Sequence, residues 1–275
     1  MALDGPFRSI LFVPGNRPDR FDRALESSAS LICIDLEDAL NPSEKAPARQ
    51  EAIAYLTNRV SPRIAVRING MATREGLADL LAMTAAPRPP AILLIPKVQS
   101  SAELGQIDSV LGECPSKLIP IVESCEGLAH AHAIAGAPRT TAVLFGGGDL
   151  AAELGVTMAW EPLFAARAQV VQACARARIP AIDVPFLAIG DDAGLHEETA
   201  RIKVLGFAGK IAIHPNQVAT INACFMPTAR EIAEAREAMA IFTAADRSAV
   251  LFKGKLLDAP LVRHYEIILA DIAKL

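Results

Sequence analysis

Eight short apolar runs recur along the first 214 residues: SILFV (9–13), LICID (31–35), RIAVRI (63–68), AILLI (91–95), KLIPIV (117–122), TAVLF (141–145), IPAID (179–183) and KIAIH (210–214). Each has the length of a strand, and the runs are continuous rather than alternating. That is the pattern of strands buried on both faces. Segments long enough for one helix each lie between them, among them 43–58, 73–84, 101–112, 160–177 and 191–205. Ser43 and either Ser100 or Ser101 stand where N-caps are expected. Eight strands alternating with helices predict a (β/α)8 TIM barrel over residues 1–224. A doubly wound open sheet is the competing solution, but FVPGNRPD after the first run lacks the G-x-G-x-x-G turn such sheets carry.

Residues 225–275 are not needed to close that barrel. PTAREIAEAREAMAIFTAA reads as an amphipathic helix, DRSAVLFKGKLLDAP as a polar connection and PLVRHYEIILADIAKL as a last helix. This C-terminal helical extension is expected either to cap the barrel or to reach a neighbouring subunit.

The 275 residues, 52% of them hydrophobic, supply a large core. A net charge of −4 argues against nucleic acid or an anionic membrane as the main partner, since both require a basic face. MALDGPFRSI has an early acid and no apolar core of a signal sequence, and no run approaches a membrane span, so a cytoplasmic protein is expected. The five cysteines are scattered without CxxC spacing, which predicts reduced thiols and neither disulfides nor zinc.

In a barrel of this kind the residues after each strand line one face, where active sites form. Those ends read PGNR, DLED, RING, PKV, ESCE, GGGD, DVP and HPNQ. Glu123 and Asp149 follow neighbouring strands, five and six, and two such carboxylates with open waters suit one Mg2+. The alternative is that either acid caps the helix after it. Gly147 and Gly148 let backbone amides approach an anion. Arg67 ends a buried run and requires a carboxylate, either a substrate's or a neighbour's. Lys97 and Lys210 sit among acids and read as charge partners, and His214, before Pro215, as a packing or hydrogen-bonding residue. In LICIDLEDAL the strand alternation from Asp35 turns Glu37 away from the site, toward the helix layer.

Seven motifs, RSILFVPGNRPDRFDRA, DLEDALNPSEKAPAR, VRING, LIPKVQS, IVESCEGL, FGGGDLAAELG and LGFAGKIAIHPNQV, resemble in that order the citrate lyase beta subunit family, whose relatives include malyl-CoA and citramalyl-CoA lyases. The resemblance implies a (β/α)8 barrel that uses Mg2+ to cleave a β-hydroxy acyl thioester and assembles as a trimer or hexamer. It makes Glu123 and Asp149 the Mg2+ ligands, and Arg67 the residue that grips the oxo-acid part. Asp35 and Asp38 then hold metal-bound waters or orient Arg67. Asp258, in KLLDAP, matches an aspartate delivered from a neighbouring subunit to act near the thioester. Two departures stand out: Arg23-Ala24 replaces a common Lys-Ala pair, and DVPF replaces a tyrosine-bearing sequence.

The expected activity is therefore a Mg2+-dependent lyase of citramalyl-CoA, malyl-CoA or a citryl thioester, releasing an acetyl thioester and a 2-oxo acid. Arg17, Arg20 and Arg23 are placed to meet CoA phosphates. The rival readings are a Mg2+ enzyme of phosphoenolpyruvate or free oxo-acids without CoA, and a non-catalytic subunit that keeps the fold.

Overall fold

The computed structural model describes residues 7–273, and the chain divides after Phe225 into two compact units. In the first unit all eight apolar runs are strands: β1 (Ser9–Pro14), β2 (Leu31–Asp35), β3 (Ile64–Arg67), β4 (Ile92–Ile95), β5 (Lys117–Val122), β6 (Val143–Phe145), β7 (Ala181–Asp183) and β8 (Gly209–Ala212). They pair in parallel in sequence order, and β8 closes on β1 with Ile10 opposite Ile211.

Strand parity sorts the core into two clusters. Ile10, Cys33, Ala65, Leu94, Ile121 and Ile211 fill the barrel interior, whereas Leu11, Ile34, Val66, Leu93, Val122 and Ala212 pack against the helices. Because side chains alternate faces, the inward series continues to Phe12, Asp35, Arg67, Glu123 and Ile213 at the C-terminal mouth. The outward series carries Asp183 and Lys210. Lys210 is fully buried, its ammonium 3.2 Å from Asp183 and 2.6 Å from Glu198, and it donates to the Val184 carbonyl at 2.7 Å. Arg167, on helix Trp160–Ala177, pairs with the other oxygen of Asp183 at 2.9 Å. Lys210 is thus a charge partner, as its acidic surroundings suggested.

Helix starts follow their capping chemistry. Thr73, Ser100, Ser124 and Asp191 each accept from the amide three residues on. Ser43 is not a cap: Asn41 and Glu44 form a capping box around the turn Pro42–Glu44, and helix Lys45–Asn58 follows. Proline at the first turn position moves the start two residues upstream of the expected one.

The second unit has helices Ala229–Ala244 and Ala259–Ala273, and its connection is not merely polar. It forms a hairpin of β9 (Val250–Phe252) and β10 (Lys255–Leu257) around Lys253-Gly254, both at positive φ (49° and 75°). Two such residues define the tight turn that matches strand twist. Phe252 and Leu257 of the hairpin pack with Phe242 and Tyr265. No helix of the described residues is long and apolar enough to cross a membrane. All five cysteines are free thiols.

Closure of the barrel leaves no room at Gly209, where an added Cβ would stand 1.8 Å from the Phe7 carbonyl oxygen. Gly209→Ala is expected to cost at least about 1–3 kcal/mol, read as a lower denaturant midpoint at unchanged m-value.

Candidate active site at the barrel mouth

Arg67 and Asp35 are register partners across β2 and β3. The guanidinium donates to both oxygens of Asp35, each at 2.7 Å, and approaches Glu37 at 3.0 Å and Asp38 at 3.3 Å. Its face lies over the Phe12 ring, 5.1 Å from the centroid. Burial works against this cation, but the bidentate Asp35 and the charges of Glu37 and Asp38 outweigh it and hold Arg67 firmly protonated. The expected partnership of Arg67 with the acids of DLED is therefore present.

Glu37 corrects an expectation. It does not turn to the helix layer but is buried beside Arg67, and its other oxygen lies 3.1 Å from the Lys97 ammonium. The strand ends at Asp35, whose carboxylate accepts the Glu37 amide at 3.0 Å. That turn cancels the alternation on which the expectation rested. Lys45 donates to the Glu37 carbonyl at 3.0 Å and to Asn69, while Asn69 donates to the Leu36 carbonyl at 2.9 Å. Asn69, in VRING, thereby ties the two acid-bearing loops together.

Lys97 has a role that sequence reasoning only partly found. Its residue sits in the left-handed region (φ 58°), which aims its amide at Glu123, 2.7 Å away. Its ammonium spans Glu37 and Asp149, the latter at 3.7 Å. Glu123 is mostly buried, and burial, with repulsion from Glu37 and Asp149, raises its pKa to about 8 against the pull of the Lys97 amide and Arg67. Burial and Asp38 likewise raise Glu37, opposed by Arg67 and Lys97. One Glu37 oxygen makes no hydrogen bond among the described residues.

Asp149 lies in the first turn of helix Gly147–Leu154, whose N-cap is Gly146 with no side-chain cap bond. Asp149 makes no N-cap bond but does stand in the first turn, where the helix dipole favours an acid; after strand five the cap is Ser124, and Glu123 accepts from the Lys97 amide. Gly146 packs directly on Glu123: an added Cβ would stand 2.3 Å from the Glu123 Cβ. Gly147 is not at the cavity surface as expected. Its Cα faces Phe145 and Val184, where a Cβ would meet them at 2.9 and 3.1 Å, so its absent side chain serves packing.

Asp35, Asp38, Arg67, Glu123, Gly148 and Asp149 all line one cavity of about 470 Å³. A second cavity of about 280 Å³ shares Phe12 and Pro14 with it and is lined by Arg20, Arg23 and His214. Arg17 is not part of it; it pairs with Asp19 at 2.7 Å on the surface. His214 accepts from the Asn216 amide at 3.2 Å, in keeping with a hydrogen-bonding role. Asp258 belongs to the second unit, where it caps the last helix by accepting from Leu261 at 3.2 Å.

Among the described residues no group of three or more His, Cys, Asp or Glu converges as a ready-made metal cage. Glu123 and Asp149 offer two hard oxygen ligands, the number a Mg2+ ion takes when water and substrate complete its octahedron. Two crowded carboxylates with raised pKa values, Glu37 and Glu123, fit a mouth that receives a further cation.

A parallel eight-stranded barrel with acids and one arginine converging at its C-terminal mouth is the arrangement of a barrel enzyme of small anionic substrates. The chain belongs to the HpcH/HpaI aldolase/citrate lyase family, whose model matches residues 8–215. It is 34% identical over 299 residues to the L-malyl-CoA/beta-methylmalyl-CoA lyase of Cereibacter sphaeroides, covering 96% of this chain and 93% of that one. It is 35% identical over 260 residues to the (3S)-malyl-CoA thioesterase of the same species, covering 92% and 90%. Among solved structures, CitE from Mycobacterium tuberculosis in complex with magnesium, acetoacetate and coenzyme A superposes with a TM-score of 0.84 at 29% identity, over 98% of both chains. RipC from Yersinia pestis does so at 0.74 and 40% identity, over 84% of this chain and all of that one.

The Glu123 shift has a consequence for stability. Between its unfolded value near 4.5 and about 8, the folded chain keeps a proton that the unfolded chain has lost, so the metal-free protein loses stability as pH rises through that window. Glu123→Gln is expected to flatten this dependence in denaturation curves taken from pH 5 to pH 8.

Proposed function

We propose that this chain is a Mg2+-dependent carbon–carbon lyase that cleaves a β-hydroxy acyl thioester (citramalyl-CoA, malyl-CoA or a citryl thioester) into an acetyl thioester and a 2-oxo acid. The observation that carries the reading is the placement of Arg67, Glu123 and Asp149 in one cavity, with the Arg20 and Arg23 cavity adjoining it. The CoA lyases among its relatives, and the magnesium and coenzyme A held by CitE, support it.

Glu123 and Asp149 hold the cation, and Asp35 and Asp38 hold waters bound to it or orient Arg67. Mg2+ held by these residues would supply Lewis acidity to the oxygen that becomes the new carbonyl. Arg67 neutralises the oxo-acid carboxylate, and the backbone at Gly148 lets that group approach closely. As the bond between the hydroxyl-bearing carbon and the acyl α-carbon breaks, its electron pair passes to the thioester as an enolate. The hydroxyl gives up its proton, through water, to the Asp258 carboxylate as it becomes the new carbonyl. Asp258, supplied by a neighbouring subunit of a homotrimer or hexamer, returns a proton to the enolate carbon. Arg20, joined by Arg23 in place of Arg17, meets the CoA phosphates. In this reading residues 1–224 are the catalytic domain, residues 225–275 the extension that reaches the neighbour, and the enzyme works in the cytoplasm.

Incubation with Mg2+ and a panel of malyl-, citramalyl- and citryl-CoA should give one acetyl thioester per 2-oxo acid, and EDTA should abolish both. Free CoA with an intact hydroxy acid would instead indicate hydrolysis, the activity for which the thioesterase relative is named. Oxo-acid release with no dependence on CoA would favour the thioester-free reading. Asp149→Asn should lower turnover at least about a hundredfold without unfolding the chain. Mixing inactive Asp149→Asn and Asp258→Asn subunits should restore part of the activity if Asp258 acts across an interface, and none if it acts within its own chain.

A further inference from the structure

The cavity at the barrel mouth is two-sided. Its charged lining, Asp35, Asp38, Arg67, Glu123 and Asp149, comes from the ends of β2, β3, β5 and β6, and its remaining wall is apolar: Met158, Val184, Pro185, Leu187, Ile213 and Phe12. The charged part contains four carboxylates and one guanidinium, and that guanidinium already binds both oxygens of Asp35. Even with a divalent cation in place, the lining carries more negative than positive charge. One substrate carboxylate has a place beside the cation and Arg67; the nearby Lys97 ammonium is engaged by Glu37 and Asp149, so among the described residues lining this cavity a second carboxylate meets no free positive partner.

The apolar wall begins at the proposed metal ligand. Met158 sulfur would lie 3.9 Å from a Cβ on Gly148, the residue before Asp149, and Val184 packs on Gly147 in the same turn. It is also held in place from behind: the buried Lys210 binds the Val184 carbonyl at 2.7 Å, and Gln217 donates to the Phe186 carbonyl at 2.8 Å. Leu187, at the rim, is 61% exposed although it belongs to an otherwise apolar wall. An exposed leucine facing a polar site is what a hydrocarbon group of a ligand would cover.

We infer that the preferred substrate bears a single carboxylate and a hydrocarbon substituent on its hydroxyl-bearing carbon, and that Met158, Val184 and Leu187 are the specificity-determining residues. This rests on the lyase reading above and narrows it. A carboxymethyl group at that carbon would put an unpaired anion against the wall, and a hydrogen would leave the wall uncovered. A methyl group in a fitted pocket is worth about tenfold or more in kcat/KM.

The test compares three CoA thioesters that differ only in the third substituent of the hydroxyl-bearing carbon: hydrogen, methyl or carboxymethyl. The methyl compound is expected to lead by at least about tenfold. Leu187→Asp should erase that lead mainly through KM, and Leu187→Met should keep it; being exposed, the position tolerates either change. Equal or better cleavage of the hydrogen or carboxymethyl compound, or an unchanged KM in Leu187→Asp, would overturn the inference while leaving the lyase reading intact. If none of the three is cleaved, the lyase reading fails. The wall is then judged by calorimetric binding of the three corresponding 2-oxo acids with Mg2+ present: methyl first sustains it, and any other order removes it.

Discussion

One guanidinium among three carboxylates holds this barrel mouth together. Taken alone, a half-buried Arg67 or a buried Asp35 would each be costly; their bidentate pairing across β2 and β3 makes both tolerable. Glu37 and Asp38 then share the same cation, and Lys97 carries the arrangement across to Asp149 and, through its amide, to Glu123. The positive charge does not go far enough. Burial and mutual repulsion leave Glu37 and Glu123 reluctant to ionise, and this shortfall makes the site receptive to a divalent ion.

Barrel register determines which side chains take part. Asp35, Arg67, Glu123 and Ile213 continue the inward parity of Cys33, Ala65, Ile121 and Ile211, so each emerges at the mouth. Asp183 and Lys210 have the opposite parity and are spent on a buried network behind the Val184 loop. Two lysines in acidic surroundings thus have different fates: Lys210 lies within β8 on its outward face, whereas Lys97 lies past the end of β4, where a left-handed residue redirects the chain. Lys97 faces the site from the turn after β4, and Lys210 supports it from outside the barrel.

Much of this was legible in the sequence because the barrel strands are buried on both faces and announce themselves as unbroken apolar runs. All eight were found this way, as was the common location of Glu123 and Asp149; for Arg67 the sequence left a substrate carboxylate and a neighbouring acid both open, and the structure supplies the DLED acids. What failed was local geometry beyond the strand ends. Glu37 was misplaced because alternation was extended past Asp35, where an amide-to-carboxylate turn intervenes. Gly147 was expected to face ligand, but the first helical turn points it at Phe145 and Val184. Arg17 was grouped with Arg20 by proximity alone, although Asp19 two residues on takes it. The C-terminal hairpin was missed despite a signal for it: Lys253-Gly254 between VLF and KLL is a two-residue turn of the kind glycine favours. The left-handed Lys97, by contrast, carries no sequence mark, since only its neighbours require that backbone.

The central claim is that Glu123 and Asp149 together hold the divalent cation at this mouth. Anomalous diffraction from crystals soaked in Mn2+, a ready substitute for Mg2+ at oxygen sites, tests it most directly. One strong peak is predicted at roughly 2.2 Å from a carboxylate oxygen of each residue, with waters completing the shell. A peak bound instead by Glu37 and Asp38, or no peak in crystals whose protein is active with Mn2+, would contradict the account.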